Sequence, residues 1–405
     1  MRVPLAWRNL THDLRRLVLA AGAVGFAVLL MFLQLGFLNA LFDSTVALIE
    51  TLDSDVVITG RGKYTLAVSE AFPLRRLKQA QAVPGVIFSS AVYVEGYQAI
   101  VSPQPVVKES LNESGAKATA GDESRNDVLP RSPIRLVAVD PGAAPFVDAD
   151  LNAAIQALHE PLTALADRRS RKNYGPLVTG SRVTVSGRRL KIVGEFDLGT
   201  DFSSDGTLVV SSETLDTLLP HRYPNPNRLG NVDIGIVRIA PGTDADEACR
   251  RLAAALPADV RVLTKRAFIE QEKNFWQRST PIGFVFLLGL TLGFIVGVIV
   301  CYQILATEIS DSMPELATLK AMGYSPWFFL ALVLEESLYL ATIGFMPGVA
   351  ASAGLYTILA SATGLLLRLT IPRMALVYLL TLGMCVVSGF LAIRRLNAAS
   401  PADLF

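Results

Sequence analysis

The sequence predicts an α-helical membrane protein with four transmembrane helices and a large mixed α/β extracytoplasmic domain between helices 1 and 2. Three observations carry this. Of the 405 residues, 51% are hydrophobic and only 18% charged, where a soluble domain has about a quarter charged. The apolar residues are gathered into long uncharged runs. The central stretch between the first two runs has ordinary globular composition. Lys and Arg total 37 against 36 Asp and Glu, a net charge of +1, so the balance points to no nucleic-acid partner.

Residues 17–41 contain no charge, and at ~1.5 Å per residue they cross a ~30 Å hydrocarbon core with some tilt. Arg2, Arg8, Arg15 and Arg16 lie in the amphipathic segment 1–16 before them. The run is longer than the apolar core of a signal peptide and has no small-residue cleavage site, so it reads as a retained anchor. Residues 281–305 form a second uncharged run. The third apolar region, 326–367, is interrupted by Glu335 and Glu336. It divides best into an interfacial stretch marked by Trp327, Glu335 and Glu336, followed by a span over 338–360. A short outer loop, 361–373, precedes a fourth span at 374–393. Arg394 and Arg395 open the tail 394–405. The positive-inside rule then places both termini in the cytoplasm.

Residues 43–279 form the outer domain. Strands are expected at 55–59, 134–139, 182–185 and 232–239 from β-branched or alternating runs. Asp205-Gly206 reads as a hairpin turn before a strand at 207–210. Helical spacing covers 150–166 and 245–255, and 271–278 reads as a helical stalk into the second span. Residues 102–132, rich in Ser, Pro, Asp, Glu and Lys, read as a mobile loop. Cys249, Cys301 and Cys385 supply no disulfide framework and read as small hydrophobes. His12, His159 and His221 share no ligand spacing with them, so no metal site is expected. No local pattern supports a catalytic set. Gly60-Arg61-Gly62-Lys63 lacks the glycine spacing of a phosphate loop and the Ser or Thr directly after its lysine.

Two segments carry mechanism. Gly289, Gly293 and Gly297 recur every fourth residue in the second span, which lines small residues on one helix face and admits another helix backbone. The spacing leaves open whether that helix is internal or from a second subunit. The connector 306–335 holds Glu308, Asp311, Pro314, Glu315, Leu316, Leu319, Lys320, Met322, Gly323 and Tyr324. Its apolar and charged spacing suits a short docking helix. Pro314 and Glu315 favour its first turn, Lys320 its end, and Gly323 its C-cap.

The run Glu315-Leu316-Ala317-Thr318-Leu319-Lys320-Ala321-Met322-Gly323-Tyr324, then Glu335-Glu336 and Gly344-Phe345-Met346-Pro347-Gly348, resembles the permeases of MacB/FtsX-type ABC systems. Thr280-Pro281-Ile282-Gly283 and Tyr302-Gln303-Ile304-Leu305 resemble the DevC-type branch, and the terminal Ser400-Pro401-Ala402-Asp403-Leu404-Phe405 fits the same pattern. The resemblance implies a homodimer in the bacterial inner membrane, bound to two cytoplasmic ABC ATPases that hold the ATP and magnesium. The permease itself would need no cofactor and catalyse nothing. The segment 315–324 would couple to the ATPase. The outer domain would meet a periplasmic adaptor, or membrane-fusion, protein leading to a TolC-like outer-membrane channel. Two functions fit: exporter of an amphiphilic or lipid-like product, or a non-transporting FtsX-like relay controlling a periplasmic cell-wall enzyme. The large outer domain and the DevC-like motifs favour the exporter.

The arginine placement makes a direct prediction about topology. Reporter fusions after Ser110 and after Phe405 should report opposite sides of the membrane, and a common side would exclude four spans.

Overall fold

The computed structural model describes residues 14–96, 98–102, 132–171, 174–201, 204–222, 230–279, 281–313, 318–319 and 322–398. The chain divides into two units. One comprises residues 1–40, 280–362 and 367–405, and the other residues 41–279 and 363–366.

Four helices dominate the first unit: α1 (Leu14–Thr51), whose residues from Leu41 on belong to the second unit, α7 (Pro281–Asp311), α8 (Pro326–Thr363) and α9 (Ile371–Ala398). Each is long and apolar enough to cross a membrane. Both α1 and α8 have 38 residues, about 57 Å at ~1.5 Å per residue and well beyond a ~30 Å hydrocarbon core. They outlast the expected spans because neither contains a helix-ending signal at the span boundary. Residues 42–51 of α1 contain neither Gly nor Pro, and α8 runs straight through Pro347. Likewise α7 continues past residue 305, so Glu308 and Asp311 stand on the end of the span helix and not in a loop.

The second unit is built on an eleven-stranded sheet. Its strands are β1 (Val56–Gly60), β3 (Val86–Glu95), β4 (Ile100–Ser102), β5 (Ser132–Pro133), β6 (Arg135–Val139), β7 (Thr163–Asp167), β8 (Arg182–Val185), β9 (Arg188–Phe196), β10 (Thr207–Ser211), β12 (Ile234–Ile239) and β13 (Val260–Thr264). A two-stranded ribbon pairs β2 (Phe72–Pro73) with β11 (Asn231–Val232). The sheet order is β13-β1-β12-β3-β6-β10-β7-β9-β8-β4-β5. Pairing is antiparallel except for β6 with β10 and β7 with β9.

Strands β1, β6, β7 and β10 are buried along their whole length. Their side chains alternate between two cores, because successive residues of a strand point to opposite faces. Val56, Ile58, Leu136, Ala138, Leu208 and Val210 enter one core, under α2 (Arg75–Gln81), α4 (Ser212–Leu218) and α5 (Ala245–Ala255). Val57, Val137, Val139, Leu165 and Val209 enter the other, with Leu48, Ile49 and Leu52 of α1, Ile155 of α3 (Ala149–Ile155) and Phe268 of α6 (Lys265–Ser279).

Several local expectations are revised. Asp205-Gly206 is not a hairpin turn: β10 pairs with β6 and β7, and not with β9 before it. The tight hairpin is Ser186-Gly187, where φ is +48° and +77° between the paired Val185 and Arg188, as a two-residue turn between twisted strands requires. The helix expected over 150–166 stops as α3 and one 3₁₀ turn, and 163–166 instead lie in β7. Pairing with β9 and β10 overrides the helical spacing there. Of the loop 102–132, residues 103–131 lie outside the described ones, and its ends pair as β4 and β5.

Leu165 is fully buried on a central strand. Leu165→Ala should cost about 3 kcal/mol, and amide exchange of β7 and β10 through global opening should quicken by about a hundredfold.

Candidate functional site: glycine-lined helix contacts and the 308–324 segment

In hydrocarbon, apolar side chains gain nothing by leaving the solvent. Helices associate through close packing and internal hydrogen bonds, which small residues permit. The first unit uses this on both sides of α1. A methyl placed on Gly289 would meet Gln34 at 2.6 Å, one on Gly293 would meet Leu30 at 3.7 Å, and one on Gly297 would meet Ala27 at 3.1 Å and collide with Met384. The glycine face of α7 therefore receives α1 of the same chain. On the other side, a methyl on Gly25 would lie 3.2 Å from the Gly344 carbonyl and 3.3 Å from the Gly348 nitrogen of α8. A methyl on Gly348 would lie 2.9 Å from the Gly25 carbonyl. Here two helix backbones touch. One end of the contact is closed by Tyr356, whose hydroxyl donates to the Phe32 carbonyl.

Helix α7 also packs on α9. Ser388 Oγ donates to the Val298 carbonyl across the contact, and to Met384 in its own helix, both at 2.8 Å. Buried Ser337, Ser352 and Thr381 donate to carbonyls three or four residues earlier in their own helices. Their hydroxyls are satisfied without water, as a bilayer interior demands.

The connector segment is described in part. Glu308 is on α7, and Asp311 at its end pairs with Arg16 of α1. Pro314, Glu315, Leu316 and Lys320 lie outside the described residues. Leu319 is half-buried against the helix bundle of its own unit. Gly323 has φ +91°, and the Tyr324 N–H donates to the Leu319 carbonyl at 3.3 Å. This six-to-one bond after a left-handed glycine terminates a helix. Met322 is 63% exposed, and Tyr324 is exposed with its ring 4.8 Å from that of Phe328. Trp327 is 77% exposed. Glu335 is exposed and accepts from the Tyr339 hydroxyl, whereas Glu336 is 4% exposed, packed inside the bundle.

The second unit holds a buried polar cluster that local sequence did not reveal. Glu272 of α6 accepts from Thr65 Oγ1 (2.7 Å), Trp276 Nε1 (2.8 Å) and the Leu66 N–H (2.9 Å), which staples the 63–70 segment to that helix. Burial pushes its carboxyl up, opposed by these donors and by Lys63. Arg222 joins Glu95 (3.0 Å) and Asp233 (2.8 Å), while Arg135 pairs with Asp201. Glu95, Arg135, Asp201 and Glu272 line a cavity of about 40 Å³, large enough for ordered water. The Gly60–Lys63 loop serves this interior: Lys63 is 1% exposed, donates to the Val68 carbonyl at 2.7 Å, and has its pKa lowered by burial. Among the described residues no group of three His, Cys, Asp or Glu side chains is placed to hold a metal.

Of the residues singled out in the sequence, Gly289, Gly293 and Gly297 come together on one face. The described residues of 308–324 share a chain segment, with Asp311 paired to Arg16 and Leu319 packed against the bundle. Gly25, Gly344 and Gly348 were missed as packing positions, although Gly344 and Gly348 have the same four-residue spacing. The contact of Cys301 with Cys385, 3.5 Å between sulfurs, has no sequence signal at a separation of 84 residues.

Four apolar helices with an α/β unit inserted after the first define a multi-pass membrane protein. Residues 283–401, covering α7 to α9, match the family model described as FtsX-like permease C-terminal. Among curated proteins none matches the sequence. Among solved structures, the extracellular domain of the noncanonic ABC-type transporter YknZ from Gram-positive bacteria aligns at 11% identity and a TM-score of 0.29, over 52% of this chain and 99% of that one. The periplasmic region of MacB from Actinobacillus actinomycetemcomitans aligns at 10% identity and a TM-score of 0.32, over 56% and 95%. Scores this low describe partial likeness, and the fold stated above rests on the chain's own helices and strands.

The backbone contact predicts a position-specific cost. Gly348→Leu should force α1 and α8 apart and cost about 3 kcal/mol, the upper range for overpacking. Gly354→Leu, on the same helix with open space around it, should leave thermal stability in detergent unchanged.

Proposed function

We propose that the chain is the membrane permease of an ATP-driven ABC export system, a homodimer of four-span subunits in a bacterial inner membrane. The observation that carries this reading is the FtsX-like permease match over residues 283–401, on a chain whose α/β unit is inserted between its first and second apolar helices. In this reading ATP and magnesium bind a separate cytoplasmic ATPase. The permease passes the ATPase's conformational change to the α/β unit. That unit meets a periplasmic adaptor and, through it, a TolC-like channel, and the cargo is amphiphilic or lipid-like.

The coupling element in this reading is the segment 308–324. Met322 and Tyr324 are exposed, and the Gly323 turn fixes the segment's exit. Leu319 is half-buried in its own bundle, so its replacement would also disturb the permease. Met322 is the cleaner probe. The relay reading shares the same coupling element and differs in what the outer unit acts upon. A neighbouring gene for a coiled-coil adaptor supports export, and one for a cell-wall hydrolase supports the relay.

Two variants test the coupling site. Met322→Asp places a charge in an apolar contact, and Gly323→Val strains a left-handed position by about 1–3 kcal/mol. Both should lower co-purification of the ATPase by tenfold or more while the outer unit keeps its fold. Full ATPase binding and full transport by both would remove 308–324 as the coupling element.

A further inference from the structure

Cys301 of α7 and Cys385 of α9 have fully buried side chains with sulfurs 3.5 Å apart. Their contact is held by its surroundings. One turn from Cys301, the Val298 carbonyl accepts from Ser388, which lies one turn beyond Cys385. The neighbouring Gly297 leaves the space that Met384 fills. The helix separation is thus set beside the thiols by a hydrogen bond and by a packed notch. A disulfide needs the sulfurs at about 2.05 Å, so they must close by about 1.5 Å.

We propose that Cys301 and Cys385 form an oxidisable dithiol that lipid-soluble disulfides convert into an intrachain bond between the second and fourth spans. Charged oxidants are kept out by the apolar surroundings, whereas a neutral aromatic disulfide enters them. One cysteine sulfur attacks the reagent's S–S bond, and its proton goes to the departing aryl thiolate. The second cysteine then attacks the cysteine sulfur of the mixed disulfide and expels the other aryl thiolate with its own proton. Two protein S–H bonds and one reagent S–S bond break, and one protein S–S bond and two protonated aryl thiols form. The protein loses two hydrogens and retains no adduct. The bond fixes α7 against α9, and any motion that parts them then requires its reduction.

The test uses the full chain carrying Cys249→Ala, embedded in phospholipid vesicles and treated with 4,4′-dithiodipyridine. Released 4-thiopyridone, intact mass and non-reducing peptide mapping are read together. The expected result is two thiopyridones per chain, a mass lower by two hydrogens, and linked peptides containing residues 301 and 385. Adding Cys385→Ser should give one thiopyridone and one retained pyridylthio group. Two stable adducts, a bond between separate chains, or no release from the vesicle-bound chain would each overturn the proposal.

Discussion

The organisation of the membrane unit depends on how closely α1 can approach the helices on either side of it. Apolar helices in lipid gain no hydrophobic energy by touching, so their contacts must come from dispersion and hydrogen bonds at short range. Gly289, Gly293 and Gly297 open one side, and Gly344 and Gly348, with Gly25 of α1 itself, open the other. Larger residues at Gly25, Gly344 or Gly348 would push the α1 and α8 backbones beyond contact. Met384 of α9 meets the same Gly297 position as Ala27 of α1, and Ser388 ties α9 to α7 by a hydrogen bond. The first span is accordingly a central element, and the family match, which begins after it at residue 283, covers only its partners.

The second unit solves a different problem. Its central strands are covered on both faces, which supplies two apolar cores in place of the single core of a half-exposed sheet. Buried charges are costly unless paired, and this unit pairs Arg222 with Glu95 and Asp233, and Arg135 with Asp201. Removal of one member would leave an uncompensated charge in the interior. Glu272 joins α6 to the 63–70 segment by three hydrogen bonds. Since α6 ends at Ser279 and α7 begins at Pro281, that staple sits on the helix preceding the second span.

Much of this was legible in the sequence where the signal is local. Uncharged runs gave the four long helices, and helical spacing gave α5 at its observed bounds, Ala245–Ala255, where the structure adds an Asp244 side-chain cap. The run at 182–185 likewise appears as β8. Non-local partners decided the failures. Residues 163–166 have helical spacing yet lie between β9 and β10. Asp205-Gly206 has turn chemistry, but its strand returns to β6 in parallel, which no local pattern announces. The polar cluster is assembled from Lys63, Glu95, Arg135, Asp201, Arg222, Asp233 and Glu272, which span more than two hundred residues of sequence. In the site, the α7 glycine spacing showed a close-packing face, but spacing carries no information on which helix fills it.

The identity of that helix is the central claim, and geometry allows it to be trapped. The Cβ of Leu30 lies 3.7 Å from where a Cβ on Gly293 would stand, inside the range of about 3.5–4.5 Å for a disulfide. The decisive measurement is oxidation of the Leu30→Cys, Gly293→Cys chain in membranes, with Cys249, Cys301 and Cys385 replaced by alanine. Non-reducing electrophoresis and peptide mapping should show a bond within one chain and no dimer band. A bond between two chains, or none under conditions that oxidise a flexible control pair, would contradict the placement of α1 against the glycines of α7.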